Sequence, residues 1–351
     1  MTRVAFHAPM KPPDHPVPSG DRRMARLFLD ALGLAGYAPE VASDLRTRDG
    51  QGSRLAQEDL LDLAFGEVER LVTAWKDDPP ALWFTYHCYY KAPDLLGPDL
   101  SARFGIPYVI AEPSRARKRL TGPWSGFARR AEAAIDRADL LLTMTPHDRV
   151  ALDRQARAGQ VIADFPPFLD PGPDPGPKAP SSTLRLLTVA MMRGADKLAS
   201  YRALSKILPG LEGDWHLTVI GDGEHRDAVR AMLAPCGDRV TFTDGILDAA
   251  ALRAQYEAAD VVIWPGVNEA YGMVYLEAQA AGTPVVAQDW PGPQAVIGPG
   301  SALVPRDDPS AFRDAIRRVA GTGAASRAYV LERHGLDAAA ARLGDLLGRL
   351  A

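Results

Sequence analysis

The sequence has few of the features that mark secreted, membrane-spanning or metal-binding proteins. Only two of its 351 residues are cysteines, Cys88 and Cys236, and neither has a partner at metal-ligand spacing, so we expect both to be reduced. No signal peptide is visible, and no uninterrupted apolar run approaches the ~20 residues that a membrane-spanning helix needs. These absences predict a soluble, cytoplasmic protein.

An excess of charge of one sign is also lacking. The chain has 40 Lys and Arg against 44 Asp and Glu, a net charge of −4, which argues against bulk binding to nucleic acid. Apolar residues make up 46% of the sequence, so most of it is expected to fold. Because 351 residues exceed what one hydrophobic core usually supports, two domains are the first expectation.

Short apolar runs alternate with amphipathic stretches along the chain. Val4–Phe6 and Tyr108–Ala111 are typical of buried strands, whereas Asp21–Leu34 carries apolar residues at helical spacing. The alternation stops at Pro166–Pro180, where seven of fifteen residues are proline, and then starts afresh. This pattern predicts an α/β fold with two Rossmann-like, doubly wound parallel-sheet domains facing across a cleft. The predicted parts are a domain at 1–165, a semi-rigid linker at 166–180, a domain at 181–335 and a C-terminal helix at 336–351.

One segment of the second domain has the pattern of an anion-binding helix start. Residues 265–277, PGVNEAYGMVYLE, follow a buried strand and open a helix. Gly272 has no Cβ, so an anion can approach the backbone closely. The amides of Met273 and Val274 would lie in the first helical turn, where N–H groups lack helical partners and the helix dipole adds about half a positive charge. We therefore predict a diphosphate site here.

Two glutamates flank this predicted diphosphate site. Glu277 lies about one turn into the helix, where its carboxylate would accept two hydroxyl hydrogen bonds, as a ribose diol offers. Glu269 lies on the loop before the helix, where it would hold sugar hydroxyls. The alternative is a helix with ordinary acidic residues near its N-terminus.

The whole pattern resembles glycosyltransferase family four, which has the glycosyltransferase B (GT-B) fold. That family carries Pro-Ser-x-x-Glu-Gly-x-Gly-x-x-x-x-Glu-Ala and then Ala-x-Gly-x-Pro-Val-Val-Ala. This chain has PGVNEAYG at 265–272 and EAQAAGTPVVA at 277–287. It departs from the family at Ala270, where glycine is usual, and at Ala295, where a glutamate is expected. The resemblance is strong over 184–320 and weak over 1–170, which leaves the acceptor open.

The resemblance also implies donor-binding roles for residues at other strand ends of the second domain. Lys197 and Arg193 would neutralise the donor diphosphate, although the family's commoner spacing would put Met192 in the arginine's place. Gly221 would belong to the family's Gly-Asp-Gly turn. The backbone at Ile246 would cradle the nucleobase.

In the first domain the resemblance implies a loop, a histidine and an acceptor site. Gly20 lies in a loop that would contact donor phosphate and acceptor; the alternative is a plain helix cap at Ser19 or Asp21. His87 follows a strand end, where the family's histidine contacts the transferred sugar. The acceptor candidates are Glu112 and Tyr89.

Residues 113–131 contain six basic residues and no acidic one, with Trp124 and Phe127 between them. Basic and aromatic residues together suit a membrane interface, so this segment is predicted to contact an anionic membrane or a lipid-diphosphate acceptor. A solvated loop and helix start is the alternative.

Taken together, the resemblance implies a retaining glycosyltransferase that needs no metal or other cofactor. It would move a hexose-type sugar from a nucleotide-sugar donor to a hydroxyl of a glycan or lipid-linked acceptor, in polysaccharide or cell-envelope glycan synthesis. The C-terminal helix would cross back to the first domain, and closure about the linker would bring the halves together.

Three other functions are alternatives. A nucleotide-sugar epimerase of the same fold would need acid–base carboxylates such as Glu112, and a non-catalytic nucleotide-sugar-binding protein would not need them. A nicotinamide-dependent oxidoreductase is disfavoured, because residues 7–12, HAPMKP, replace the glycine fingerprint after the first strand.

Overall fold

The computed structural model describes residues 1–17, 19–243 and 248–350, and the chain divides into two compact units. Unit 1 comprises residues 1–166 together with the C-terminal residues from 336 onward, and unit 2 comprises residues 167–335. Each unit is built on a six-stranded sheet in which every neighbouring pair of strands is parallel. The predicted α/β, doubly wound architecture is therefore confirmed.

In unit 1 the strand order is β2-β1-β3-β4-β5-β6, which puts β3 and β4 at the centre of the sheet. The strands are β1 (Thr2–His7), β2 (Tyr37–Ser43), β3 (Leu82–Cys88), β4 (Tyr108–Pro113), β5 (Leu140–Thr143) and β6 (Val161–Asp164). The helices of the first 166 residues are α1 (Gly20–Leu34), α2 (Arg54–Ala74), α3 (Gly97–Phe104), α4 (Ser125–Arg137) and α5 (Pro146–Asp153). The central strands are nearly continuous apolar runs because helices cover both of their faces.

A buried carboxylate fastens these central strands to α3. Asp94 Oδ2 accepts hydrogen bonds from the Trp83 indole at 3.0 Å and the Tyr108 hydroxyl at 2.7 Å. Its Oδ1 accepts from the amides of Leu96 and Gly97, each at 2.9 Å. A buried charge is tolerated only when it is hydrogen-bonded in this way, so Asp94 has a structural role that sequence pattern alone did not indicate.

Unit 2 repeats the arrangement with the strand order β12-β11-β10-β7-β8-β9. Its strands are β7 (Leu184–Val189), β8 (Trp215–Ile220), β9 (Val240–Thr243), β10 (Val261–Ile263), β11 (Val285–Gln288) and β12 (Ala302–Val304). Its helices are α6 (Asp196–Ile207), α7 (Arg226–Leu233), α8 (Ala249–Ala258), α9 (Met273–Ala280), α10 (Pro291–Gln294), α11 (Pro309–Val319) and α12 (Gly323–His334).

The proline-rich segment is attached to unit 2 along much of its length. Arg253 donates to the carbonyl oxygens of Pro171 and Pro173 at 2.7 and 2.6 Å, and Arg327 donates to that of Gly172 at 3.0 Å. Lys178 Nζ donates to Thr283 Oγ1 at 2.5 Å, and burial lowers the pKa of this lysine to about 8. Apart from a single bridge at Leu169, residues 166–180 form no helix or strand.

The C-terminal residues form two helices, and the second begins where the sequence predicts the C-terminal helix to begin. Gly335 is extended, with φ −72° and ψ 153°, and forms a parallel bridge with Leu169. This pairing ends α12 and separates it from α13 (Leu336–Leu347). Helix α13 belongs to unit 1 and packs on α1, with Leu343 and Leu347 buried.

Candidate active site

In unit 2 the residues of the predicted donor site lie at the carboxyl ends of the parallel strands. Helix α9 begins immediately after Gly272, whose φ of 73° is in the left-handed region that favours glycine. A Cβ on Gly272 would lie 2.7 Å from the ring of Tyr275. No side chain caps this helix. The amides of Met273 and Val274 therefore have no helical acceptor and are available to an anion.

The loop before α9 is held in place by close packing. A Cβ on Gly266 would lie 1.9 Å from the Tyr275 hydroxyl, and one on Gly292 would lie 2.0 Å from the carbonyl oxygen of Glu269. The amide of Val267 donates to Ser200 Oγ at 3.0 Å. The backbone that carries Glu269 is thus supported from α6, α9 and α10, which pre-organises it.

Lys197 and Glu269, which the sequence assigns to the diphosphate and the sugar, are in direct contact. Lys197 Nζ donates to Glu269 Oε1, and the Trp264 indole donates to the same oxygen at 3.0 Å. The lysine nitrogen also lies 5.5 Å from the centre of the Trp264 ring. The side chain of Lys197 is 33% exposed and that of Glu269 14%, so both are open to a ligand. The structure thus joins the two predicted residues through a tryptophan that sequence reasoning missed.

Glu277 is half-buried on α9, and its Oε2 accepts a hydrogen bond from the Tyr256 hydroxyl at 2.9 Å. This bond fixes the carboxylate while leaving it further acceptor capacity. Tyr256 was also missed, because its place on α8 becomes adjacent to Glu277 only through the tertiary fold.

Three other donor-site predictions concern loops after β7, β8 and β9. Arg193 is exposed, whereas the side chain of Met192 is buried, so only the arginine is placed to meet a solvent-borne anion. Gly221 has φ 151°, and a Cβ there would lie 1.9 Å from the Ala190 carbonyl oxygen. Packing between two strand-end loops is therefore enough to require glycine here, without any contact to a ligand. Ile246 lies outside the described residues.

In unit 1, His87 and Glu112 lie side by side near the ends of the neighbouring strands β3 and β4. Register pairs Tyr86 with Ala111, so the next residue of each strand, His87 and Glu112, lies at the same level. Both have left-handed backbones, with φ of 64° and 55°. Non-glycine residues adopt this conformation rarely and at a cost in free energy, and such strain concentrates at functional sites.

These two side chains belong to one electrostatic cluster. His87 Nδ1 lies 3.0 Å from Asp21 Oδ1. Burial of His87 opposes its protonation, but the charge of Glu112 and the bond to Asp21 outweigh burial and raise the pKa of His87. The hydrogen bond from His87 lowers the pKa of Asp21. Burial raises the pKa of Glu112, whose buried Oε2 has no hydrogen-bond partner among the described residues.

The predicted role of Gly20 gains no structural support. Gly20 is the first residue of α1, and a Cβ there would meet no atom within 4 Å. Ser19 is the helix cap and accepts from the Arg22 amide at 3.2 Å, which is the alternative that the sequence left open. Asp21, the other cap candidate, instead binds His87.

Tyr89 begins a row of aromatic rings at the end of β3. Its ring lies 4.9 Å from that of His87, and the rings of Tyr90 and Trp124 lie edge to face at 5.8 Å. Lys91 and Arg119 lie over both of these rings at 5.2–5.7 Å, in cation–π geometry. These contacts form a cationic, aromatic surface beside the acceptor candidates, in which Tyr90 and Lys91 join Trp124 and Arg119 of the predicted basic segment.

Two side chains of the predicted membrane-contact segment, residues 113–131, are buried, and membrane contact itself stays a prediction. Phe127 is 1% exposed and belongs to the core. Arg115 is 2% exposed and binds Glu132 and Asp136, each at 2.5 Å. Amphipathic spacing on α4 turned Phe127 inward, and the two acids follow in the next turns of that helix. The exposed basic residues of the segment are Arg117, Lys118, Arg129 and Arg130.

Neither a membrane span nor a metal cluster occurs among the described residues. None of the helices there is both long and apolar enough to span a bilayer. No group of three or more His, Cys, Asp or Glu side chains in these ranges is arranged to hold a metal ion. A cavity of about 620 Å³ in unit 2 is lined by residues such as Asp174, Lys178 and Arg327 beneath the proline-rich segment, and none of the predicted site residues lines it.

Comparison with known proteins finds relatives of part of the chain. Residues 185–321, which lie within unit 2, match the family described as glycosyl transferases group 1. A D-inositol 3-phosphate glycosyltransferase from Pseudarthrobacter chlorophenolicus is 28% identical to this chain over 271 residues, which are 68% of this chain and 62% of that relative's length. These matches confirm the family resemblance seen in the sequence of the second domain.

Solved structures match both units of the chain. A sucrose-phosphate synthase from Thermosynechococcus elongatus matches with a TM-score of 0.70 and 19% identity, covering 100% of this chain and 99% of that one. Anabaena HepE in complex with UDP-glucose matches with a TM-score of 0.66 and 15% identity, covering 99% of this chain and 100% of that one. At such identities the likeness shows the fold alone, which is the GT-B fold.

Proposed function

We propose that the chain moves a hexose-type sugar from a nucleoside-diphosphate sugar to a hydroxyl of a glycan or lipid-linked acceptor, with retention of anomeric configuration. The observation that carries this proposal is the uncapped N-terminus of α9, which opens at Gly272 beside the Lys197–Glu269 pair. Free amides, a lysine and a carboxylate are the groups that a diphosphate with an attached sugar would use. The solved complex of HepE with UDP-glucose supports a donor of this class.

Different residues of unit 2 would bind different parts of the donor. The amides of Met273 and Val274 bind the diphosphate, and Glu277, fixed by Tyr256, binds the ribose hydroxyls. Glu269 binds hydroxyls of the sugar. Arg193, exposed after β7, adds positive charge.

Transfer requires that the leaving nucleoside diphosphate be stabilised as negative charge grows on it. Lys197, Arg193, the two α9 amides and the helix dipole supply that stabilisation without a metal ion or other cofactor. The acceptor hydroxyl attacks the sugar on the same face from which the leaving group departs. The departing phosphate takes the proton of that hydroxyl. No side chain is assigned as a nucleophile.

The acceptor would bind to unit 1. Glu112 and Tyr89 offer hydrogen-bonding groups near the ends of β4 and β3, and Lys91 and Arg119 add positive charge beside them. His87, whose ring lies next to that of Tyr89, would contact the transferred sugar. An acceptor that carries hydroxyls and a negative charge suits this surface. The name of the Pseudarthrobacter relative, a D-inositol 3-phosphate glycosyltransferase, includes a phosphate and is consistent with such an acceptor. We propose polysaccharide or cell-envelope glycan synthesis at the cytoplasmic face of the membrane, with exposed basic residues of segment 113–131 as the contact.

A thermal-shift screen tests the proposal. UDP, GDP and their hexose conjugates are added to the full chain, because a ligand that binds only the folded state raises the melting temperature. Release of the sugar is then measured for the nucleotide sugar that raises the melting temperature. We expect Lys197→Ala and Glu277→Ala each to lower turnover on the order of 10²-fold, as lost charge-stabilising groups typically do. Near-normal turnover in both variants would refute the donor-site assignment.

A further inference from the structure

Trp264 lies beneath the ion pair of the donor site and contacts both of its members. Its indole N–H donates to Glu269 Oε1 at 3.0 Å, and its ring faces Lys197 Nζ at 5.5 Å. We propose that Trp264 is a positioning residue that fixes the carboxylate of Glu269 for the sugar of the donor. This inference rests on the proposed function.

Packing and hydrogen bonds hold the indole in place. Trp264 is fully buried, and its ring packs edge to face on Tyr201 with centroids 5.0 Å apart. Its backbone amide donates to the carbonyl oxygen of Val286 at 3.1 Å, and its own carbonyl oxygen accepts from the Tyr275 hydroxyl at 3.2 Å. A donor that is held by these three contacts can hold its acceptor in one place.

The shared oxygen explains why a fixed donor is useful here. Lys197 and Trp264 both donate to Oε1 of Glu269, which leaves the lone pairs of Oε2 available to sugar hydroxyls. When a diphosphate attracts the lysine, the carboxylate loses one of its two donors. The indole, which cannot move, then keeps Glu269 in the sugar-binding position.

The consequence is specific to the sugar part of the donor. Replacing Trp264 by phenylalanine keeps an aromatic ring beneath Lys197 but removes the N–H donor. Binding of the nucleoside diphosphate through the α9 amides and Lys197 should therefore survive. Binding of the attached hexose through Glu269 should weaken, since this carboxylate becomes mobile.

A matched control exists within the same unit. Trp215 is 3% exposed, its indole donates to the Leu211 carbonyl oxygen at 2.9 Å, and Arg239 lies over its ring at 5.3 Å. Trp215→Phe therefore removes a buried, hydrogen-bonded indole under a cation, as Trp264→Phe does, but at the start of β8. Both variants should lose comparable stability.

Calorimetric titration of the full chain with UDP and UDP-glucose, and with GDP and GDP-mannose, tests the inference. For the pair that the wild type binds, Trp264→Phe should bind the free nucleoside diphosphate within threefold of wild type and the hexose conjugate at least tenfold more weakly. Trp215→Phe should change neither value more than threefold. In a Glu269→Gln background, Trp264→Phe should have no further effect, because coupled residues are non-additive.

Equal losses for the free nucleotide and its hexose conjugate, or equal effects of the two tryptophan variants, would overturn the inference while leaving the proposed function intact. A wild type that binds none of the four ligands overturns both. If Trp264→Phe fails to fold, NMR of the ¹⁵N-labelled wild type decides. The Trp264 indole resonance, assigned by elimination with variants of the other tryptophans, should shift more with the hexose conjugate than with the free nucleotide, and an unshifted resonance contradicts the role.

Discussion

At the scale of single residues, two residues of unit 1 have features that are unfavourable for folding. Both lie at strand ends near the predicted acceptor site. His87 and Glu112 both have left-handed backbones, and Glu112 Oε2 is buried without a partner among the described residues. Each feature is unfavourable for folding, and natural proteins keep such features where function needs them. The free-energy cost therefore supports a functional role for this pair.

Glu112→Gln should stabilise the protein, more so at high pH. Burial raises the pKa of Glu112 in the folded state, so its contribution to stability is full below the unfolded value of about 4.5 and is lost as pH rises through the folded value. Glutamine has no charge to bury. We expect a gain of about 1 kcal/mol, or roughly 2–4 °C in Tm, at pH 8 and a smaller gain at pH 5.

Differential scanning calorimetry at the two pH values measures this gain. Glu132→Gln is the control, because Glu132 accepts a hydrogen bond from the buried Arg115 and its loss should lower Tm. A Glu112→Gln variant that melts below wild type at pH 8 would show that the carboxylate is stabilised rather than strained.

Part of the site could be predicted from sequence at this scale. Gly272, Glu269 and Glu277 form a local pattern along the chain, and a local pattern is visible without a structure. Trp264 and Asp21 were missed because their importance comes from Lys197 and His87, which lie far away in sequence. A tryptophan after a buried strand reads as core, and nothing in the sequence marks its N–H as a donor to a carboxylate.

At the scale of elements, the helix start at α9 combines backbone conformation and packing. The sequence predicts a helix over Tyr271–Ala281, and the structure begins it at Met273, because Gly272 adopts φ 73°. The predicted strands Val4–Phe6 and Tyr108–Ala111 lie within two residues of the ends of β1 and β4, since buried parallel strands are continuous apolar runs. The break at Gly335 falls at the predicted start of the C-terminal helix, and the structure adds its cause, which is pairing with Leu169, 166 residues earlier.

Gly272→Ala should weaken nucleotide binding through the geometry of this helix start. Alanine at φ 73° is strained, and its Cβ would lie 2.7 Å from the Tyr275 ring, so the first turn of α9 must shift. We expect at least a tenfold loss of affinity for the nucleoside diphosphate, measured by calorimetric titration.

Gly213→Ala is the matched variant. Gly213 has φ 85°, but a Cβ there would meet no atom within 4 Å, so this substitution adds backbone strain without a clash. It should cost on the order of 1 kcal/mol of stability and leave nucleotide affinity unchanged. Equal affinity in both variants would mean that the α9 start does not bind the ligand.

At the scale of the whole molecule, the two units differ in how much their sequences reveal. The family match covers residues 185–321 and lies entirely within unit 2, whereas unit 1 was predicted from strand and helix periodicity and from a weak family resemblance. A diphosphate imposes the same demand for free amides and positive charge on any protein that binds it. An acceptor imposes no such common pattern, so the residues of unit 1 carry a weaker signal.

Hydrogen–deuterium exchange of the full chain tests whether a nucleoside diphosphate binds at the N-terminus of α9. The amides of Met273 and Val274 have no helical acceptor and should exchange fast in the free protein. Saturating UDP or GDP, whichever binds, should slow exchange in peptides spanning 266–277 and leave α2 of unit 1 unchanged. If calorimetry shows the nucleotide bound while exchange in 266–277 is unaltered, the nucleotide does not bind at the N-terminus of α9.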